Sequence, residues 1–249
     1  MTAHARVPVS RLRGRRASLP VRAAFATIAL AASSAASAEV GATVSVFNDL
    51  RFRSYSLSAR HPVAIVDLSY DDPSGVYAAI SASAVARGGG PKPLGLQLNA
   101  GYAKQVAPDL TLDVGVIRSD YSHYSGNGES ISYTEIYAGV ARKWLSSRIY
   151  YSPHYFENGT STLYGELNAS VSPARKWRIE GHIGMLVPVS YRPDALITRT
   201  SHDWSIGVAR EVGPLSLHAT LSGGGPGKDY YNYEPHSRTA VVFGASWVL

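Results

Sequence analysis

The chain ends in an unbroken alternation, TAVVFGASWVL, over residues 239–249. Val241, Phe243 and Trp247 fall on one face of this stretch, and Gly244 and Ser246 fall on the other. A tilted strand needs roughly 9 to 11 residues to cross the hydrocarbon of a bilayer. The stretch therefore predicts the closing strand of a transmembrane barrel, with one side toward lipid and the other toward a lumen.

The same period of two continues through the rest of the chain, whereas the 3.6-residue period of helices is hard to find. Near residues 214–222, for example, Leu215 and Leu217 alternate with Ser216 and His218. We therefore predict an all-β fold, a transmembrane antiparallel up-and-down β-barrel of about twelve strands, closed between the first and last strand. The predicted strands are 40–52, 62–70, 75–85, 94–103, 109–118, 131–141, 146–152, 161–171, 176–186, 202–210, 214–222 and 239–249.

The alternation also assigns faces at two strand ends. The apolar side of the first predicted strand continues from Val46 to Leu50 and Phe52, and that of the fourth begins with Leu94. These side chains are predicted to face lipid.

The connections between predicted strands alternate in length. Short ones rich in Pro, Gly, Asp and Ser alternate with longer ones, as in outer-membrane barrels with short periplasmic turns and long outer loops. This parity predicts that both termini are periplasmic. A soluble β-sandwich would share the alternation but not the regular sequence of long and short links. The short links are 71–74, 105–108, 142–144, 172–175 and 211–213, and the long ones are 53–61, 87–93, 119–130, 153–160, 187–201 and 223–238.

The N-terminus is predicted to be a secretory signal over residues 1–38, which leaves 39–249 as the barrel. Six arginines precede an apolar run at 23–32, and small residues follow at Ala36-Ser37-Ala38. The whole chain has 24 Lys+Arg and 18 Asp+Glu. Because the signal contains six of the basic residues and no acid, the remainder has 18 of each sign. A nucleic-acid partner would require a basic surface and is not expected.

The chain contains no cysteine, which excludes disulfides and thiolate metal sites. No cofactor is expected. The loop that includes residues 228–234 is rich in Tyr and is predicted to be external, either as a binding surface or as a constriction at the barrel mouth.

Four segments resemble the TorF family, a proteobacterial group of porin-like outer-membrane barrels of largely unknown function. They are Leu50–Ser56 (LRFRSYS), Ser74–Ala79 (SGVYAA), Asn99–Tyr102 (NAGY) followed by Asp113–Val116 (DVGV), and Tyr133–Gly139 (YTEIYAG). Ser54 stands where that family tends to carry Gly. The resemblance implies an outer-membrane barrel with a pore-like role.

Alternation assigns a set of ionisable side chains to the lumen. On the lipid face, Arg or Lys would cost roughly 2 to 4 kcal/mol near the midplane. The set is either a charged channel lining or a plug of internal salt bridges, for example Glu135 with Arg148 and Glu166 with Arg178. The pore-lining candidates are Asp49, Arg51, Asp113, Glu135, Arg148, Glu166, Arg178, Glu180, His182, Asp203 and His218, to which the pattern adds Asp67.

Catalysis is not expected. Ser152 with His154, or Glu180 with His182, places two reactive types close in sequence, but no third member is fixed. Glu180 and His182 also lack a third metal ligand at a recognisable spacing.

The sequence thus favours passive diffusion of small hydrophilic solutes or ions through a pore in the outer membrane of a Gram-negative bacterium. Seven lumenal carboxylates against three arginines predict a mild cation preference. The alternative is a closed barrel that acts as an adhesin or structural protein through its outer loops, and a third candidate is a lipid-modifying barrel enzyme. The expected partners are outer-membrane lipid, the solutes, and the barrel-assembly machinery, which would bind the C-terminal strand.

Overall fold

The structure, a computed structural model, describes residues 38–122, 130–156, 159–193, 195, 197–226 and 239–249. The predicted signal segment, apart from Ala38, and the Tyr-rich stretch 228–234 lie outside these residues. In the described part, no helix is long and apolar enough to span a membrane. The strands are β1 (Glu39–Phe47), β2 (Arg51–Phe52), β3 (Tyr55–Ser56), β4 (Val63–Asp71), β5 (Val76–Arg87), β6 (Gly90–Ala107), β7 (Leu110–Tyr121), β8 (Ile131–Arg142), β9 (Leu145–Ser152), β10 (Ser161–Ala174), β11 (Trp177–Ser190), β12 (Ser201–Val212), β13 (Leu215–Gly225) and β14 (Thr239–Val248).

Twelve of these strands form one closed antiparallel barrel, in which β1 and β4–β14 each pair with their neighbours in chain order. β1 closes the sheet between β4 and β14, with Val44 opposite both Val66 and Trp247. Closure leaves no free strand edge. The predicted fold, strand number and closing pair are confirmed.

The outer face of the barrel is an apolar band. Leu98, Ile149, Ile183 and Phe243 are exposed, the last to 59%. Alternate residues on the same strands point into the barrel and are mostly polar. An apolar surface that encircles the molecule is far larger than the patches that water-soluble proteins expose.

The two ends of the barrel differ. Glu39 lies opposite Asp71, so the start of β1 is at the same end as the turn 72–75. Four two-residue turns, at 108–109, 143–144, 175–176 and 213–214, lie at this end as well. We call it the turn end and the opposite one the loop end.

Strand β1 stops at Phe47, earlier than predicted, and residues 48–62 fold into the barrel at the loop end. We call this segment the inward hairpin; β2 and β3 are its two short strands, with Phe52 opposite Tyr55. Leu50 and Phe52 are buried, so their predicted lipid-facing position is wrong, as is the predicted outer loop 53–61. Alternation gives the same signal whether an apolar side chain packs against lipid or inside the barrel.

Two predictions around β6 are also wrong. Residues 87–93 are not a long loop, because β5 and β6 continue to a two-residue turn at Gly88 and Gly89. Leu94 is buried rather than lipid-facing. Ser83 pairs with Gly95 and Ala84 with Pro93, so Leu94 is the extra residue of a β-bulge. A bulge inserts one residue and reverses the faces beyond it, which turns Leu94 inward.

Candidate functional site inside the barrel

The inward hairpin is held in shape by its own polar side chains. Asp49 accepts hydrogen bonds from Ser56 (2.5 Å) and Ser58 (2.9 Å) and forms an ion pair with Arg51 at 3.2 Å. Ser58 in turn accepts the amide of Leu50 at 3.0 Å. These contacts join the two halves of the segment to each other.

The tip of the hairpin is a two-residue turn at Arg53 and Ser54. Both residues have positive φ angles, 46° and 67°. Two consecutive residues in this region are typical of type I′ hairpin turns, which favour Asn-Gly because other side chains are strained there. The Ser54 hydroxyl donates to the carbonyl of Gly223, which attaches the tip to the wall.

Arg53 is the deepest charge of the hairpin. Its Nη2 donates to both carboxylate oxygens of Glu135, at 2.9 and 3.1 Å, and the two side chains are only 2% and 3% exposed. The guanidinium carbon lies 3.7 Å from the ring centre of Tyr164 and 5.0 Å from that of Tyr155. A buried ion pair requires additional favourable contacts, here from the tyrosine rings, because its charges have lost their contacts with water.

Aromatic rings fill the rest of the loop end. Tyr133 lies 4.6 Å from Phe156 and 5.1 Å from Tyr155 between ring centres, and Phe52 and Tyr121 border the same group. Tyr155, which is in the connection between β9 and β10, is fully enclosed, and burial raises the pKa of its phenol. The phenol is therefore neutral over the physiological range.

A chain of hydrogen bonds follows the wall formed by β9–β12. Tyr150 donates to Glu166 at 3.0 Å, and Asn168 donates to the same carboxylate at 3.1 Å. The orientation of this amide places its oxygen 2.7 Å from Nδ1 of His182, whose Nε2 is 2.7 Å from Asp203. Both ring nitrogens of His182 are therefore within hydrogen-bond distance of side-chain oxygens.

A second network lies nearer the turn end. Arg148 donates to Asp113 at 3.0 Å through Nε and lies 2.8 Å from the same oxygen through Nη2. Tyr77 hydrogen-bonds Tyr137, which also donates to Asn99 at 3.0 Å. These side chains bring β5 to β9 together inside the barrel.

The predicted salt-bridge partners are wrong. Glu135 pairs with Arg53 and not with Arg148, whose partner is Asp113. Arg178 lies 3.1 Å from Glu180, two residues along the same strand, and not against Glu166. Neighbouring strands supply many candidate pairs, and the choice depends on the depth of each side chain along the barrel.

The remaining predicted site residues also lie on the interior side. Asp67 and His218 are buried, and the His218 ring lies 6.2 Å from that of Phe47. Arg178 and Glu180 are each 15% exposed, close to the turn end. The interior location of Asp67 and of nine of the eleven candidates agrees with the alternation. Asp49 and Arg51 are interior because the hairpin folds inward, and the role of all of them in lining a pore stays a prediction.

Arg53 and the tyrosines around it were missed as site residues. A pattern in the sequence could have indicated the tyrosines. Glycines on one strand leave room for the large tyrosine rings of the neighbouring strand inside the barrel. A Cβ added to Gly184 would lie 2.1 Å from the Tyr164 hydroxyl, and one on Gly115 would lie 2.4 Å from that of Tyr137. The glycine that the TorF resemblance leads one to expect at the position of Ser54 was a signal for the turn.

Ser152 and His154, one of the candidate catalytic pairs, form hydrogen bonds with other residues. Ser152 donates to the carbonyl of Thr134 at 2.8 Å, and His154 accepts the amide of Gly159 at 3.4 Å. Among the described residues, no cluster of three or more His, Asp or Glu side chains could hold a metal ion.

Comparison with known proteins identifies the family. Residues 31–244 match the model of a family described as bacterial proteins of unknown function (Gcw_chp), and the chain belongs to this family. No curated protein matches the chain.

Solved structures of similar fold include porins. The NanC porin has a TM-score of 0.58 at 11% identity, over 83% of this chain and 98% of that one. The KdgM porin gives 0.51 at 9% identity, over 83% and 98%. The KdgM porin in complex with disordered oligogalacturonate gives 0.51 at 11% identity, over 84% and 98%. At these identities the likeness is one of fold.

Proposed function

We propose that the protein is an outer-membrane porin for small hydrophilic solutes whose loop end is closed by the inward hairpin. The apolar band suits lipid, and the polar interior suits water and solutes. The short turns and both termini would face the periplasm. The TorF resemblance and the predicted signal segment support the same location. We propose two partners. One is outer-membrane lipid, and the other is the barrel-assembly machinery, which would bind the C-terminal strand.

One observation carries the proposal: the inward hairpin, a segment that connects two strands, fills much of the loop end. Residues 52–58 are all buried inside the barrel mouth, and Arg53 is the residue that reaches the far wall at Glu135. Beneath the hairpin, a cavity of about 30 Å³ is bordered by Ser81, Ser83 and Gln97. A segment that connects two strands can move without breaking the barrel, whereas the wall cannot.

We further propose a preference for cations. Among the residues that the structure describes, we assign seven carboxylates (Asp49, Asp67, Asp113, Glu135, Glu166, Glu180 and Asp203) and four arginines (Arg51, Arg53, Arg148 and Arg178) to the interior. Each of these arginines pairs with one of the acids. Three acids remain, of which Asp203 contacts His182. Asp67, Glu166 and Asp203 thus form the surplus of carboxylates over arginines, which would raise the local concentration of cations in a narrow pore.

The same surplus distinguishes this interior from one suited to acidic sugars. The KdgM porin has been solved with oligogalacturonate, whose units are carboxylates. Like charges in a narrow, poorly hydrated passage repel each other. We therefore propose cationic or neutral solutes for this chain.

Solute flux into liposomes tests the function. Proteoliposomes that contain the refolded protein should take up small neutral and cationic solutes slowly, and a variant in which residues 50–57 are replaced by a short Gly-Ser linker should take them up faster. Replacement of Asp67 with Asn should reduce the uptake of cations more than that of neutral solutes. Uptake that does not exceed that of empty liposomes in any variant would contradict the proposal.

A closed barrel with an adhesive or structural role is the second candidate. The filled loop end, with its ring of Tyr133, Tyr155 and Phe156, favours it. In that case the hairpin variant would lose stability without any gain in flux.

A further inference from the structure

We propose that the pocket around Arg53 is a binding site for organic cations with guanidinium or primary ammonium groups, and that Arg53 occupies it as an internal ligand. We call it the Arg53 pocket; its walls are Glu135, Tyr150, Tyr155 and Tyr164. The proposal rests on the proposed function only in that such cations would be solutes of the pore.

The pocket has the chemistry of a cation receptor. The guanidinium carbon of Arg53 is 3.7 Å from the ring centre of Tyr164, 5.0 Å from Tyr155 and 5.6 Å from Tyr150. Glu135 supplies the carboxylate at 2.9 Å. Cations bind over aromatic faces within about 6 Å, and several rings around one cation form the cage that recognises ammonium ligands.

The walls of the pocket belong to the barrel and not to the hairpin. Glu135, Tyr150 and Tyr164 are on β8, β9 and β10, and Tyr155 is in the connection that follows β9. Tyr150 and Tyr164 are also fixed by hydrogen bonds to Glu166 and Asp203. The receptor therefore persists when Arg53 leaves, although Phe52, which lies 4.7 Å from the guanidinium, departs with it.

The hairpin is suited to displacement. Its tip is attached to the wall by the Arg53–Glu135 ion pair and by the hydrogen bond from Ser54 to the Gly223 carbonyl, and both break on displacement. The hydrogen bonds around Asp49 are internal to the hairpin, so they survive its movement. A free guanidinium that takes the place of Arg53 restores the same ion pair, and its binding shifts the hairpin toward the displaced state.

The first experiment detects displacement in the unaltered pocket. The chain has no cysteine, so Leu57→Cys provides a single thiol on the hairpin, at a position that is 2% exposed. In detergent micelles, millimolar methylguanidinium should raise the rate of thiol labelling by about tenfold. Methylurea, its neutral isostere, should leave the rate unchanged. Equal effects of the two compounds, or none, would overturn the proposal.

The second experiment uses the emptied pocket. Arg53→Ala should be stabilised by methylguanidinium, seen as a rise in Tm that saturates with concentration, and the added Glu135→Gln change should abolish the rise. Arg178→Ala, at the other end of the barrel, is the matched control and should show no rise. An equal response of Arg53→Ala and the double variant would refute a site at Glu135. If Arg53→Ala does not fold, the labelling experiment decides.

Neither readout requires a conducting pore. Displacement and stabilisation without any solute flux would contradict the proposed function and leave the binding site standing. Solute flux without displacement of the hairpin would contradict the binding site and leave the proposed function standing.

Discussion

Two ion pairs of the same chemistry occupy the two ends of the barrel interior. Arg53 and Glu135 at the loop end are 2% and 3% exposed, whereas Arg178 and Glu180 at the turn end are each 15% exposed. The first joins the inward hairpin to the wall, and the second joins two residues of one strand. An arginine and a glutamate thus attach a connecting segment to the wall at one end and lie along a single strand at the other.

The difference shows how burial changes the role of a charge pair. Removal of one partner from a buried pair leaves an uncompensated charge and is strongly destabilising, and the penalty falls as water gains access to the remaining charge. The loop end should therefore respond to single substitutions that the turn end tolerates.

The largest effect is expected for Glu135→Gln. It leaves the Arg53 guanidinium buried without its carboxylate and should lower the free energy of unfolding by about 3–5 kcal/mol. Glu180→Gln, the matched change at the turn end, should cost less, because water reaches this pair more readily. Denaturant unfolding of both proteins in detergent micelles measures the two values. Similar losses would remove the distinction between the ends.

Gly184→Ala tests the packing between the two ends. The added methyl would lie 2.1 Å from the Tyr164 hydroxyl and 2.8 Å from Asp203, so the tyrosine beneath Arg53 must move. Overpacking of this kind should cost about 1–3 kcal/mol. Gly181→Ala on the same strand meets nothing within 4 Å and serves as the control in the same unfolding assay. If both variants unfold alike, the ring does not pack against Gly184.

Ser54→Gly should change stability by less. Glycine removes the strain of the φ angle of 67°, about 1–2 kcal/mol, but also the hydrogen bond to the Gly223 carbonyl, about 0.5–1.5 kcal/mol. The two effects offset each other to within about 1 kcal/mol. The measurement is again the unfolding free energy, with Ser54→Ala, which loses the bond and keeps the strain, as the less stable comparison.

The smallest effect concerns acid sensitivity at the turn end. Hydrogen bonds from the side chain and backbone amide of Ser74 lower the pKa of the Asp72 carboxyl. Because the folded pKa lies below the unfolded one, this contribution is present above the unfolded pKa and is lost as pH falls through the folded value. A carbon NMR titration of Asp72 should report a lower pKa than in Ser74→Ala. An unchanged titration would contradict the side-chain bond.

The sequence predicts the barrel wall well, for physical reasons. Alternation is a property of neighbours along one strand, and turns such as 143–144 are local, so all twelve strands and the closing pair could be found from short stretches. The interior placement of residues such as Asp113 and Asp203 followed from the same alternation.

The hairpin and the pairings could not be predicted in this way. Leu50 and Phe52 continue the period of β1, and no local pattern separates burial inside the barrel from contact with lipid. The Arg53–Glu135 contact joins residues 82 positions apart across the lumen. The β-bulge at Leu94 depends on the partner strand and leaves no mark in the alternation of β6 itself.

Single-channel conductance tests the central claim, that one hairpin closes a barrel that otherwise conducts. The refolded protein, the variant in which a short linker replaces residues 50–57, and the turn-end variant Arg178→Ala/Glu180→Gln would be compared in planar bilayers at equal salt. The account predicts stepwise openings of larger amplitude and longer duration in the hairpin variant, and no such gain in the turn-end variant. If the hairpin variant shows no channel openings although its barrel is shown to be folded, the result would contradict the account.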